Sequence, residues 1–65
     1  MRVEVGRTYT DGRGAKRRIL SIEGAPEIVR FEKLCGINGR ALKVRTGFER
    51  REYMECRWAH AEVPA

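Results

Sequence analysis

The 65-residue sequence has few of the residues that build cross-links or metal sites. It contains two cysteines, Cys35 and Cys56, one histidine, His60, and two prolines. Two cysteines far apart in the chain cannot form the dense disulfide framework of small secreted domains. Cys56 and His60 would supply only two of the four ligands of a tetrahedral zinc site. The sequence therefore predicts no metal, no cofactor and no disulfide scaffold.

Long apolar runs are also missing. Residues 1–5 alternate apolar with charged side chains, and they contain no stretch long enough for a signal peptide or a membrane span. We therefore expect a cytoplasmic protein with reduced thiols and no membrane contact. Because no repeat or linker divides the chain, residues 1–65 are predicted to form one small domain, either a monomer or a weak homo-oligomer.

The common catalytic motifs are absent. The sequence has no GxSxG, GxxxxGK[ST], GxGxxG or HExxH pattern, and a single histidine leaves few arrangements for acid–base catalysis. The glutamates Glu27, Glu32 and Glu49 are scattered, which favours solvated surface carboxylates. We therefore expect that the protein is not an enzyme.

Glycines divide the first two thirds of the chain into short segments with β character. Four segments are predicted as strands: 3–10 (one strand or two short pieces of one), 17–22, 27–34 and 41–45. The clearest alternation places Val29 and Phe31 on one face, which indicates one buried and one solvated face. Within 17–22, one face is predicted to carry Arg18, Leu20 and Ile22, and the other face Arg17, Ile19 and Ser21.

The C-terminal third has a different composition. Glycine disappears after Gly47 and helix-forming residues dominate, which predicts a helix over 48–62. Thr46 and Glu49 fit a capping box at its start, and its apolar face would carry Met54, Trp58 and Ala61. An alternation of apolar and charged residues over 52–60 leaves a strand as the alternative. The predicted class is mainly β with one C-terminal helix.

The order of several short groups resembles a known type of protein. These groups are Val5-Gly6-Arg7-Thr8-Tyr9, Gly14 with Arg17-Arg18-Ile19, Val29-Arg30-Phe31, and Phe48 with Arg57-Trp58-Ala59. Together they resemble small phage- and prophage-type proteins with an SH3-like barrel. The resemblance implies a small barrel of about four to five short antiparallel strands and a phage or prophage setting, and it carries over no binding residues. The longer stretch between Phe48 and Trp58 departs from the pattern.

The charge balance points to anionic partners. Fourteen Lys and Arg against nine Asp and Glu give a net charge of +5, and such a surface attracts polyanions. Four cations surround the predicted first hairpin turn: Arg13, Lys16, Arg17 and Arg18. Glycines at 12 and 14 would let a phosphate approach the backbone, where arginines could hold it with forked hydrogen bonds. The alternative is that these charges only prevent an edge strand from pairing with another chain.

A second candidate patch consists of Arg50 and Arg51. Here the alternative is a solvated helix surface, because glutamates interrupt the patch. Among the aromatic residues, Phe31 and Trp58 are predicted to fill the core, with Arg57 either a cation–π partner of Trp58 or plain surface. Tyr9 and Tyr53 are the aromatic residues predicted to lie at the surface, where they could contact a partner.

Two functions follow as hypotheses. The first is an accessory nucleic-acid-binding protein that contacts the phosphates of DNA or RNA through the basic hairpin. The alternative is a protein-interaction module that binds an acidic host or phage protein. The clustering of positive charge on one turn favours nucleic acid.

Overall fold

The computed structural model describes residues 1–64. Five antiparallel strands form one sheet in the order β4-β3-β2-β1-β5. The strands are β1 (Thr8–Thr10), β2 (Lys16–Glu23), β3 (Ile28–Cys35), β4 (Thr46–Arg50) and β5 (Ala61–Glu62). A 3₁₀ turn (Ile37–Gly39) precedes β4, and an α-helical turn, α1 (Arg51–Tyr53), continues as a π-helical turn over Met54–Trp58. The predicted class, mainly β with one C-terminal helix, is confirmed.

The central hairpin of β2 and β3 carries the clearest sequence pattern. Val29 and Phe31 are 0% and 2% exposed, as their alternation predicted, and Phe31 pairs with Ile19 across the hairpin. A bulge between Ile19 and Ser21 shifts the register. It leaves Leu20 48% exposed and Ile22 packed against the core. Arg18 and Leu20 are both exposed, as their predicted common face requires, but Ile22 does not share this face, because the extra residue reverses the alternation after Leu20.

The core lies between the sheet and the C-terminal helical segment (51–58). Its buried side chains are Val3, Tyr9, Ile19, Val29, Phe31 and Met54, with Ile22, Trp58 and Ala59 packed against them. Met54 and Trp58 both come from the helical segment, so this segment covers the apolar face of the sheet. The predicted role of Phe31 and Trp58 as core residues is confirmed for Phe31, whereas Trp58 is only partly buried.

Tyr9 occupies the core and not the surface. In the three-residue β1 it is 1% exposed, while its neighbours Thr8 and Thr10 are only partly buried. The Glu4 N–H donates a hydrogen bond of 2.8 Å to the Tyr9 hydroxyl, which supplies the polar partner that a buried tyrosine needs. The prediction of Tyr9 as a surface contact is therefore wrong, whereas Tyr53 is 49% exposed.

The N-terminal residues are anchored to the helical segment and form no strand of their own. The Val3 N–H donates to the Glu55 carboxylate over 2.8 Å, and the Val3 carbonyl accepts a 3.0 Å hydrogen bond from Arg51. Because these partners replace a neighbouring strand, the strand predicted over 3–10 is confined to Thr8–Thr10.

The fourth strand lies later in the chain than predicted. Residues 41–45 have no regular structure, and β4 begins at Thr46. Phe48 in β4 pairs with Arg30 but points away from the core and is 74% exposed, so the strand has no apolar inner pattern. Its inner face instead has Gly47, where a Cβ would lie 3.0 Å from the Phe31 ring. Glycine therefore lets β4 lie close over this ring.

The helical segment is shorter than the helix predicted over 48–62. Thr46 and Glu49 both lie in β4, so the predicted capping box is wrong, and Ala61 lies in β5 and not on a helical face. The alternative of a strand is also wrong, because the backbone over 51–58 is helical. Within residues 1–64, no helix has the length and apolar character that a transmembrane span requires.

Candidate functional site

Two loops meet at one end of the sheet. The turn after β1 (residues 11–15) contacts the loop between β3 and β4 (residues 36–45), where the Asn38 N–H donates to the Arg13 carbonyl over 2.8 Å. Gly14 makes this contact possible. Its φ is +96°, and a Cβ at this position would lie 2.8 Å from the Asn38 nitrogen. A side chain at position 14 would therefore push the two loops apart.

A cleft of about 550 Å³ opens between these loops and the end of the sheet. Four cationic side chains and one carboxylate line it: Arg13, Arg17, Lys33, Arg40 and Asp11. The larger apolar side chains of its wall are Ile37, Leu42 and Trp58. We refer to this site as the basic cleft. It combines an excess of positive charge with an apolar wall.

Arg17 is partly buried against two aromatic rings. Its guanidinium carbon lies 4.3 Å from the centre of the Phe31 ring and 4.1 Å from the centre of the Trp58 ring. Burial lowers the pKa of the Arg17 guanidinium, and the Glu49 charge only partly offsets this effect. A guanidinium stays protonated in proteins, so the positive charge is retained in a partly desolvated place. Trp58 thus has its cation–π partner in Arg17 from β2, and not in the neighbouring Arg57.

Arg17, Lys33 and Arg40 share a further property. Within residues 1–64, no carboxylate lies within ion-pair distance of any of the three. Arg17 and Lys33 are direct partners across the β2–β3 ladder, and Arg40 follows the 3₁₀ turn of the neighbouring loop. Three positive charges without a carboxylate partner among the described residues are therefore brought to one concave site from β2, β3 and the following loop.

Arg13 differs from these three because Asp11 neutralises it. The Asp11 carboxylate accepts hydrogen bonds from the Arg13 N–H at 2.8 Å and from the Arg13 Nε at 3.2 Å. Burial of Asp11 opposes its ionisation, but the hydrogen bonds and charge of Arg13 prevail and lower the pKa of the carboxyl below its ordinary value. The backbone bond spans two residues, which is the geometry of an Asx turn. Asp11 therefore shapes the turn and pairs with its arginine.

The basic hairpin predicted from sequence is divided between two surfaces. Arg13 and Arg17 line the basic cleft, whereas Lys16 and Arg18 are exposed outside it. Arg18 forms an ion pair with Glu32. The division follows from strand geometry, because successive side chains of β2 point to opposite faces of the sheet.

The second predicted patch lies at the other end of β3. Arg50 pairs with Ile28 at the start of this strand, whereas the basic cleft lies at its end. Arg51 contacts the carboxylates of Glu27 at 3.1 Å and Glu55 at 3.0 Å, and its side chain is 17% exposed. The hydrogen bond with Glu55 is the main reason that the pKa of Arg51 is raised. Arg51 therefore stabilises the fold through internal ion pairs. The two predicted patches lie at opposite ends of β3 and form separate surfaces.

Sequence reasoning missed Lys33 and Arg40. A signal for them was present, because residues 33–48 contain four cations and no acid. The cations of this run are Lys33, Arg40, Lys43 and Arg45. The strand predicted over 41–45 accounted only for Lys43 and Arg45, so it indicated no common site for Lys33 and Arg40. Trp58 was predicted only as a core residue, yet it also forms part of the cleft wall.

Comparisons of the chain with models of protein families, with curated proteins and with solved structures found no match. The resemblance to phage-type proteins with an SH3-like barrel stays a prediction. Among the 64 described residues, no three His, Cys, Asp or Glu side chains are grouped so that they could hold a metal ion. The chemistry of the basic cleft is therefore the basis for a functional proposal.

Proposed function

We propose that this domain binds nucleic acid through the basic cleft, with the phosphate groups held by Arg17, Lys33 and Arg40. The observation that carries the proposal is the convergence of these three cations on one concave site without a carboxylate partner among residues 1–64. Cations that are not needed for internal ion pairs are free to exchange small counterions for phosphates.

The environment of the cleft strengthens such contacts. A concave site lined by charges of one sign concentrates the electrostatic field, and the partial burial of Arg17 reduces the screening of its charge by water. Lys33 and Arg40 reach the same opening from β3 and from the following loop. Arg13 could add a fourth contact if a phosphate replaced Asp11 as its partner.

The proposal is tested by the salt dependence of binding to a short fluorescein-labelled oligonucleotide. Fluorescence anisotropy between about 50 and 200 mM salt gives the slope of log K against log [salt], which is roughly −0.7 to −0.9 for each phosphate contacted. With three to four contacts, the slope for the native chain is expected to be about −3.

A matched pair of double variants separates the cleft from general positive charge. Lys33→Ala with Arg40→Ala removes two cations of the cleft, and Arg30→Ala with Arg50→Ala removes two exposed cations that lie outside it. Both double variants lower the net charge by two. The cleft variant should reduce the slope by about 1.5, whereas the control variant should keep the native slope.

Two results would contradict the proposal. One is an equal change of slope in both double variants, which would mean that only total charge matters. The other is displacement of the labelled oligonucleotide by poly-L-glutamate at the same concentration of negative charge as unlabelled oligonucleotide. This result would favour an acidic protein as the partner. Nucleic acid is supported if the unlabelled oligonucleotide competes at least tenfold better.

A further inference from the structure

The basic cleft has an apolar wall that phosphate binding alone does not use. Ile37 is 43% exposed although it is a large aliphatic residue, and it lies in the 3₁₀ turn at the edge of the cleft. Leu42 lies beside Gly36, where its Cδ2 occupies the space next to the backbone, and Trp58 completes the wall. An apolar wall in a cleft that also has four cations fits a ligand with an apolar face as well as negative charge.

The inference rests on the proposed function and specifies its ligand: we propose that the basic cleft accepts an unpaired nucleotide, so that the domain prefers single-stranded to double-stranded nucleic acid. The base would pack against Ile37, Leu42 and Trp58, while the flanking phosphates contact Lys33 and Arg40. In a duplex the bases are stacked and paired inside the helix, so a duplex offers no apolar face to this wall. A single strand offers one at every nucleotide.

The dimensions of the cleft agree with this ligand. Its volume of about 550 Å³ lies within the range of about 300 to 1,000 Å³ that small-molecule sites occupy. It is a concavity between two loops, whereas a surface that follows the outside of a duplex has to be broad and open. Arg17 contributes positive charge at a fixed place in the cleft, because its guanidinium lies over the Phe31 and Trp58 rings.

Ile37→Ala and Val44→Ala form the test pair. Both residues are exposed aliphatic side chains of the same loop, at 43% and 66% exposure, but only Ile37 lines the basic cleft. Neither belongs to the buried core, so both variants should fold, which circular dichroism checks. Affinities are measured for a single strand, for an abasic strand of the same length and for the duplex, with DNA and RNA tested in parallel.

We expect the intact single strand to bind roughly tenfold more tightly than the abasic strand, the gain that stacking of a base provides. It should also bind about tenfold more tightly than the duplex. Ile37→Ala should reduce single-strand affinity about fivefold without changing duplex affinity, and Val44→Ala should change neither. Trp58 is the only tryptophan of the chain, so its fluorescence should change when the intact strand binds.

Equal affinities for intact, abasic and double-stranded ligands, with unchanged tryptophan fluorescence, would overturn this inference and leave phosphate binding at the cleft intact. Absence of salt-dependent binding to all of these ligands would instead overturn the proposed function and this inference with it. The two failures are therefore distinguishable within the same set of titrations.

Discussion

Arg17 and Arg51 are both partly buried, but their surroundings are opposite in kind. Arg51 contacts two carboxylates and the Val3 carbonyl, and its pKa is raised mainly by the hydrogen bond with Glu55. Arg17 contacts two aromatic rings, and burial lowers its pKa. Removing a charge from water is costly unless partners replace the water. Arg51 has such partners inside the fold, whereas Arg17 could obtain an anionic partner from a ligand.

The two ends of the sheet repeat this contrast on a larger scale. The basic cleft has four cationic side chains and a single carboxylate. The depression of about 330 Å³ at the other end has two arginines and three glutamates among its lining residues. Arginines at the two ends of the sheet therefore differ in their surroundings, because acidic residues are numerous at one end and scarce at the other. The basic cleft is therefore the end at which we propose that an anionic ligand binds.

The largest expected difference between Arg17 and Arg51 is in the free energy of unfolding after each is replaced by methionine. Arg51→Met leaves Glu55 and the Val3 carbonyl without their partner and should lower the free energy of unfolding by about 3 kcal/mol. Arg17→Met loses cation–π contacts but also removes a desolvated charge, so the change should stay within about 1 kcal/mol. Urea denaturation at pH 7, followed by circular dichroism, measures both. Equal losses in the two variants would remove the distinction between them.

Gly14 provides the next test, because it controls how the cleft is assembled. Gly14→Ala should cost about 2 to 3 kcal/mol, since it combines an unfavourable positive φ with a collision against the Asn38 backbone. Gly6 also has a positive φ, +86°, but open space beside it, so Gly6→Ala should cost only about 1 kcal/mol. Thermal denaturation compares the two. Oligonucleotide affinity should fall about tenfold in Gly14→Ala alone, and an equal fall in both variants would argue against the assembled cleft.

The smallest expected effect is a pH dependence at the Arg51 end. Burial of Glu55 disfavours its ionisation, but hydrogen bonds from the Val3 N–H and from Arg51 prevail and lower the pKa of this carboxyl below its ordinary value of 4.5. A depressed folded-state pKa stabilises the fold above the unfolded-state pKa, and the stabilisation is lost as the pH falls through the folded value. Glu55→Gln should therefore cost about 1 kcal/mol at pH 7 and progressively less in acid.

Denaturation curves at pH 7, 5, 4 and 3 measure this dependence. Glu52→Gln is the control, because Glu52 is exposed and forms no ion pair with any residue of the described chain. The native chain and Glu55→Gln should approach equal stability at the acidic end. If the difference in unfolding free energy between the two does not decrease toward pH 3, the charge of the Glu55 carboxylate is not the source of the stabilisation.

Strand β3 could be predicted from sequence because its local pattern agrees with the burial of its side chains. Val29 and Phe31 alternate with charged residues in a strand whose inner face lies against the core. The two-residue period of the apolar side chains was therefore sufficient to predict this strand. The same rule places Arg17 and Arg18 on opposite faces, as predicted for the strand over 17–22, and the structure confirms this division. Lys16 lies before the predicted strand, so its separation from Arg17 was not predicted.

Other features depend on contacts between distant parts of the chain. Arg51 receives two of its three partners, Val3 and Glu27, from distant parts of the chain, and nothing near Arg51 in sequence indicates these two. Its third partner, Glu55, lies only four residues away. The position of β4 depends on Gly47 lying against Phe31, which leaves Phe48 exposed and removes the apolar alternation that strand prediction uses. Lys33 is a neighbour of Arg17 through the β2–β3 ladder, whereas Arg40 joins them through the loop that meets the first turn at Gly14.

The contrast between the two arginines is tested most directly by nuclear magnetic resonance of the ¹⁵N-labelled chain. Addition of a short single-stranded oligonucleotide should shift the side-chain N–H signals of Arg17 and Trp58, while the Nε–H signal of Arg51 stays unchanged. Shifts centred on Arg50 and Arg51, or shifts spread evenly over all exposed cations, would contradict the account.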